Sequence, residues 1–178
     1  MVTWNCTGGN LTSPTLCQPI CKDGYLVGNE TCDDGLPYQT DWRCNSNCIG
    51  NFNGWDCISD VQTFPNTICT EICGDGIVVG TETCDDGILN DGEGCKTNCK
   101  EAYLGWNCTG GDSVSSTICV EICDDGYKVG TELCDDLIVH PDWVGCYNNC
   151  TGNWDGWNCT NTDNYQPTSC IEICGDGI

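Results

Sequence analysis

The sequence predicts small disulfide-rich repeats in tandem, irregular in backbone with short β-hairpins and little helix, strung into an elongated rod. Three observations lead there. Cysteine supplies 21 of 178 residues, above the roughly 8–10% at which a disulfide scaffold becomes the default reading. Glycine supplies another 23, while large apolar side chains are scarce, with two Phe and one Met. Such a chain buries too little to offset its conformational entropy without covalent staples. Finally, the cysteines recur in phase every 51 residues. A fixed period of that length marks a repeat array whose units contact chiefly their neighbours.

The period is carried by Trp4, Trp55, Trp106 and Trp157, each opening a Trp-Asn/Asp-Cys unit. The cysteines of one repeat, numbered first to sixth, fall at 6, 17, 21, 32, 44 and 48 in the first copy. The second copy has 57, 69, 73, 84, 95 and 99, and the third has 108, 119, 123, 134, 146 and 150. A half-set at 159, 170 and 174 closes the chain. The organisation is therefore 1–51, 52–102, 103–153 and a shortened 154–178. Turn formers such as DDG, GDG and NDGEG fill the space between cysteines, which predicts hairpins and loops. A helical turn is expected at the Cys-x-x-x-Cys segments.

Apolar positions repeat as well. Ile20, Ile72, Ile122 and Ile173 precede the third cysteine, and Leu16, Ile68, Ile118 and Ser169 precede the second. Met1, Phe52, Tyr103 and Trp154 stand three residues before each repeat's Trp. The expectation is a small core per repeat, made of the Trp, this large side chain and two aliphatics around cystines.

Charge limits the partners. Twenty-seven acidic residues face five basic ones, for a formal charge of −22, so no basic footprint exists for nucleic acid. No stretch of about 20 apolar residues suggests membrane insertion, and MVTWNC has neither the basic start nor the apolar run of a signal peptide. Disulfide chemistry of this density belongs to an oxidising, extracellular or cell-surface setting.

Divalent cations are the more plausible partners. Asp75, Glu82, Asp85, Asp86 and Asp91 crowd the Cys73–Cys84 stretch, with Asp23, Glu30, Asp33 and Asp34 at equivalent points of the first copy. Hard carboxylate oxygens suit calcium. The same Asp-Gly pairs also build turns through side-chain-to-backbone bonds, and the spacing is not that of an EF-hand loop, so turn-building stands ahead of calcium. Zinc is weaker still, with no Cys-x-x-Cys pair and His140 as the single histidine, placed in a loop. Nor does the chain offer a nucleophile–base constellation, so a non-enzyme is expected.

Sequons occur at Asn5, Asn10, Asn29, Asn107, Asn149 and Asn158, and N-linked glycans are expected on an exported, loop-rich chain. Asn5, Asn107 and Asn158 occupy the same repeat position; the second copy has Asp56 there.

The run CGDGIVVGTETCDDGILNDGEGCKTNC, Cys73–Cys99, resembles the myxococcal-type cysteine-rich disulfide repeat. With the preceding GWDC and ICTEI segments it is similar to the longer tandem form of ciliate and other protist surface proteins. The first copy departs at Lys22 and Arg43, and the third at Asp124 and Leu137, where the pattern has glycine. The resemblance implies an extracellular structural or adhesive role without catalytic chemistry. It also implies that the first and second cysteines, absent from the shorter repeat, close on each other: Cys6–Cys17, Cys57–Cys69, Cys108–Cys119 and Cys159–Cys170. Three connectivities of the other four cysteines stay open.

The functional expectation is a glycosylated, disulfide-stapled rod that self-associates into a filament or surface coat. The alternative is a cell-surface ligand- or receptor-binding or adhesion repeat module with carbohydrate or cell-surface contacts, to which Trp42 and Trp143, without a counterpart in the second copy, lend mild support. Because the fourth copy stops at CGDGI with an odd cysteine, Cys174, continuation of the array with VVGTETCDDG-like sequence is expected. Met1 then reads as an internal repeat residue.

Overall fold

A computed structural model describes residues 3–36, 43–89, 92–138, 143–160 and 166–175; Met1, Trp42, Asp91 and His140 lie outside them. The described residues contain no helix and four two-stranded antiparallel sheets. The hairpins are β1 (Trp4–Asn10) with β2 (Ser13–Pro19), and β3 (Trp55–Ser59) with β4 (Thr67–Glu71). The later two are β5 (Trp106–Asp112) with β6 (Ser115–Glu121), and β7 (Trp157–Thr160) with β8 (Ser169–Glu172).

Each hairpin begins at the repeat's Trp and sets its first cysteine directly opposite its second. The register pairs Cys6 with Cys17, Cys57 with Cys69, Cys108 with Cys119 and Cys159 with Cys170, and a disulfide joins each pair. A hairpin alone is marginal in water; closing a loop of this length contributes roughly 3 kcal/mol in the chain-entropy model. The two-residue turns are capped by their own side chains. Asn10 Oδ1 accepts from the N–H groups of Thr12 and Ser13, and Asp112 Oδ1 accepts from Val114 N–H and the Ser115 hydroxyl.

The remaining four cysteines form nested pairs, third to sixth and fourth to fifth: Cys21–Cys48 around Cys32–Cys44, Cys73–Cys99 around Cys84–Cys95, and Cys123–Cys150 around Cys134–Cys146. Spacing had left this choice open.

Two expectations need correction. No helical turn forms at the Cys-x-x-x-Cys segments. Cys17 lies in β2, and the fifth cysteines instead form isolated bridges, Cys44 to Asn51, Cys95 to Ala102 and Cys146 to Asn153. The sixth cysteines then enter the left-handed region, at φ 54°, 52° and 56°, which stops a helix from propagating. The aliphatics do not form the core either. Leu16, Ile68 and Ile118 are exposed, as are Ile72, Ile122 and Ile173. Strand alternation explains the first group. Thr67 and Cys69 turn inward, so Ile68 between them turns out. The buried interior is cystine, carboxylate and threonine, joined by Trp55 at 4% exposure.

The chain divides into two compact units, 1–72 with 79–82, and 73–78 with 83–178. The first holds two hairpins and the Cys21–Cys48 core; the second holds the two later cores and hairpins.

Candidate functional site

At the centre of each core lies the first Asp of the Cys-Asp-Asp turn. Asp33, Asp85 and Asp135 are completely buried, an expensive place for a carboxylate unless donors surround it. Donors do. Asp33 Oδ1 accepts from Gly24 N–H at 2.8 Å and Gly35 N–H at 3.0 Å, and Oδ2 accepts from Lys22 N–H at 2.8 Å. Asp85 repeats the pattern with Gly76, Gly87 and Gly74 at 2.9, 2.9 and 2.7 Å. Asp135 does so with Gly126 and Leu137 at 2.9 and 3.1 Å. Cystine sulfur completes the packing, with Cys99 Sγ 3.6 Å from Asp85 Oδ2.

The fold explains how residues other than glycine enter these turns. Lys22, Asp124 and Leu137 adopt φ 74°, 67° and 65°, as do Gly74 at 87° and Gly87 at 77° in the second copy. The glycine positions demand a left-handed backbone, and the substituted copies hold it against the steric penalty. Lys22 gains a compensation, since its Nζ donates to Cys44 O at 2.9 Å and pairs with Asp34 at 3.4 Å.

The other predicted carboxylates also serve the backbone. Asp23 Oδ1 accepts from Tyr25 N–H, and Asp75 Oδ1 from Ile77 N–H. Asp34 Oδ1 accepts from Leu36 N–H, while Asp86 takes Ile88 N–H on one oxygen and Cys95 N–H on the other. Glu30 and Glu82 reach back to Val27 and Val79 N–H; Glu132 does the same to Val129. Burial raises Glu132 above the ordinary glutamate value to about 7, helped by the nearby charges of Asp135, Glu121 and Asp125 and opposed by the Val129 bond. Burial likewise raises Glu30, Asp75 and Asp125.

Calcium needs six to eight oxygens aimed at one point, whereas Asp33 and Asp85 aim theirs at N–H dipoles whose positive ends would repel a cation. Among the described residues, every close group of three or more metal-capable side chains includes disulfide-bonded cysteines, whose sulfurs are not thiolate ligands.

Sequence reasoning missed the partner of the buried aspartates. Thr67 Oγ1 accepts the Asp33 N–H, Thr117 Oγ1 the Asp85 N–H and Thr168 Oγ1 the Asp135 N–H, each at 2.9 Å. Thr117 and Thr168 return their own N–H to Asp85 O and Asp135 O, at 2.7 and 2.5 Å. Thr67 and Thr117 lie on the next repeat's hairpin and Thr168 immediately precedes β8; all three are almost fully buried. The cystines stack as well: Cys69 Sγ lies within 4.8 Å of the Cys32 and Cys44 sulfurs, and Cys170 does so with Cys134 and Cys146. Thus each cystine core is finished by the hairpin of the following repeat. The signal was present, a Thr two residues before every second cysteine at 15, 67, 117 and 168.

The six sequon asparagines are all exposed. Asn5, Asn107 and Asn158 lie on strands, paired with Gln18, Val120 and Ile171. Asn10 and Asn149 cap turns, each accepting the hydroxyl of its own sequon threonine, Thr12 and Thr151. Cys174 is an exposed free thiol. Trp143 is 72% exposed and holds φ 85°, where the second copy has Gly92; its ring meets Trp154 at 4.7 Å.

A domain of unknown function, DUF4215, matches residues 5–49 and again 48–100. The chain belongs to the DUF4215 family. Each DUF4215 segment contains one hairpin and the nested core after it, Cys6 to Cys48 and Cys57 to Cys99. Residues 103–150 carry the same spacing and pairing. No curated protein and no solved structure matches the chain. The DUF4215 description names no activity, so function must be argued from the site itself.

Proposed function

We propose that this chain is an extracellular structural protein, a glycosylated repeat array that associates into a filament or surface coat. One observation carries the reading: in both units the core is closed by the next repeat's hairpin, through an Asp–Thr pair and stacked cystines. Such a design spreads load along the array, since no core can open without dislodging a neighbour. The chemistry-bearing groups support the same reading. Buried aspartates are consumed by backbone donors and twenty cysteines by disulfides, which leaves them to architecture rather than catalysis. The ten disulfides fit an oxidising compartment, and the resemblance to myxococcal-type and protist surface repeats agrees with it. Negative-stain electron microscopy of the purified native product tests the proposal. Filaments with a regular axial repeat are expected; monodisperse monomers at physiological salt would refute it.

A cell-surface adhesion module is the second reading. Trp143 favours it, an exposed aromatic held at positive φ where a sister repeat uses glycine, because strained exposed residues cluster at binding sites.

A further inference from the structure

Lys22 carries a basic side chain into the core of the first repeat, where the second copy has Gly74 and the third Asp124. Its backbone holds φ 74°, a conformation that is costly for lysine and free for glycine. Asp33 pins the segment by accepting Lys22 N–H at 2.8 Å. The side chain then turns to Asp34: Nζ lies 3.4 Å from Asp34 Oδ1, with the two side chains only 7% and 3% exposed. Nζ also donates to Cys44 O at 2.9 Å, so the amine is oriented as well as confined. A buried ion pair returns little net stability, because both charges give up water. Joining the two groups covalently removes both charges at once.

Asp34 differs from its sister residues in a way that bears on this. Asp86 Oδ2 accepts Cys95 N–H at 2.8 Å, and Asp136 Oδ2 accepts Cys146 N–H at 3.1 Å. Asp34 Oδ2 is buried without a hydrogen-bond donor among the described residues, on a residue only 6% exposed. Its other oxygen, Oδ1, accepts Leu36 N–H at 3.1 Å besides facing Nζ. One oxygen is therefore held by donors and the other is unencumbered. A condensation needs that division. A fixed N–H donor steadies the charge that develops on the retained oxygen, while the departing oxygen must be open to collect two protons.

We propose that Lys22 and Asp34 condense to an intramolecular isopeptide bond. In a dry core, a proton passes from ammonium to carboxylate at little cost, because the neutral pair needs no solvation. The first proton goes from Nζ to Oδ2, leaving an amine beside a carboxylic acid. The Nζ lone pair attacks Asp34 Cγ, and the N–C bond forms with Oδ1 held by Leu36 N–H. A second Nζ proton moves to Oδ2, the Cγ–Oδ2 bond breaks, and water departs. The amide keeps one N–H, still directed at Cys44 O. The net change is the loss of one water, with no redox step. The bond ties positions twelve residues apart, beside the Cys21–Cys48 and Cys32–Cys44 disulfides, and unlike them it survives reduction. It is confined to the first repeat, since Gly74 and Asp124 offer no amine. It does not depend on whether filaments form.

The test is peptide mass spectrometry of the full secreted chain after reduction, alkylation, enzymatic deglycosylation and trypsin. No Lys or Arg lies between Lys22 and Arg43, so a free Lys22 gives separate peptides 1–22 and 23–43. The cross-linked chain is expected to give 1–43 as one species, lighter than its calculated mass by one water, with fragment ions joining Lys22 to Asp34. The Asp34→Ala chain is expected to be cleaved after Lys22 with no mass deficit. Complete cleavage of the native chain after Lys22, with both peptides at full mass, would overturn the proposal and leave an ion pair. A water deficit that persists in Asp34→Ala would also overturn it, by placing the modification elsewhere.

Discussion

Asp85 and Thr117, thirty-two residues apart, exchange two hydrogen bonds. Asp85 N–H donates to Thr117 Oγ1 at 2.9 Å, and Thr117 N–H donates to Asp85 O at 2.7 Å. Both residues are buried, so water cannot replace either bond. Thr117→Val keeps the shape and removes the acceptor, leaving a buried N–H unsatisfied. The expected loss is about 1–3 kcal/mol. Thr15 occupies the same repeat position on an exposed strand, and Thr15→Val is expected to change stability negligibly. Chemical denaturation of both variants checks the contrast; equal effects would remove the argument.

Leu137 adopts φ 65° with its side chain 55% exposed. Its sister positions are Gly35 and Gly87, which adopt φ 68° and 77°. Leu137→Gly relieves the left-handed penalty and keeps the N–H that Asp135 accepts. A gain of about 0.5–1 kcal/mol is expected, the steric relief being partly offset by greater unfolded-state freedom. Differential scanning calorimetry should show a higher Tm.

Glu132 titrates near 7, well above the ordinary glutamate value, chiefly because it is desolvated. A carboxyl with a raised folded-state pKa binds more protons folded than unfolded between about pH 4.5 and 7. Its contribution is therefore most favourable below about 4.5, declines as pH rises through the window and stays low above 7. Glu132→Gln preserves the bond from Val129 N–H and removes the titration. Relative to the native chain, the variant should gain on the order of 1–2 kcal/mol on going from pH 4.5 to 7.5. Denaturation midpoints across that range measure it; a difference independent of pH would contradict the assignment.

Calcium provides the fourth prediction. Asp33, Asp85 and their neighbours bond backbone N–H groups, so calcium should find no converging shell and add little by mass action. Melting temperatures in chelator and in millimolar calcium are expected to coincide. A clear rise with calcium would show that the carboxylates reorganise around the ion.

Some of this was settled by the sequence alone. The cysteine content and the 51-residue phase impose disulfide-rich repeats on any structure, because so little apolar surface can close a chain only with covalent help. Turn formers such as DDG, GDG and NDGEG predicted short hairpins, and hairpins are found from Trp4 to Pro19 and in each later copy. The tertiary structure decided what each repeat packs against. Nested pairing of the third to sixth cysteines was one of three possibilities, selected by the loop that wraps Asp33, Asp85 or Asp135. Asp33 and Asp85 read in sequence as turn builders or calcium ligands, and Thr67, Thr117 and Thr168 carried no reading at all. Only their meeting across repeats removes the water and makes them the core. Ile68 and Ile118, which read as core, face outward because the threonine and cysteine beside them claim the inner face. The sequence carries residue types and local spacing; which groups lose their water depends on contacts some thirty residues apart, and spacing alone does not encode them.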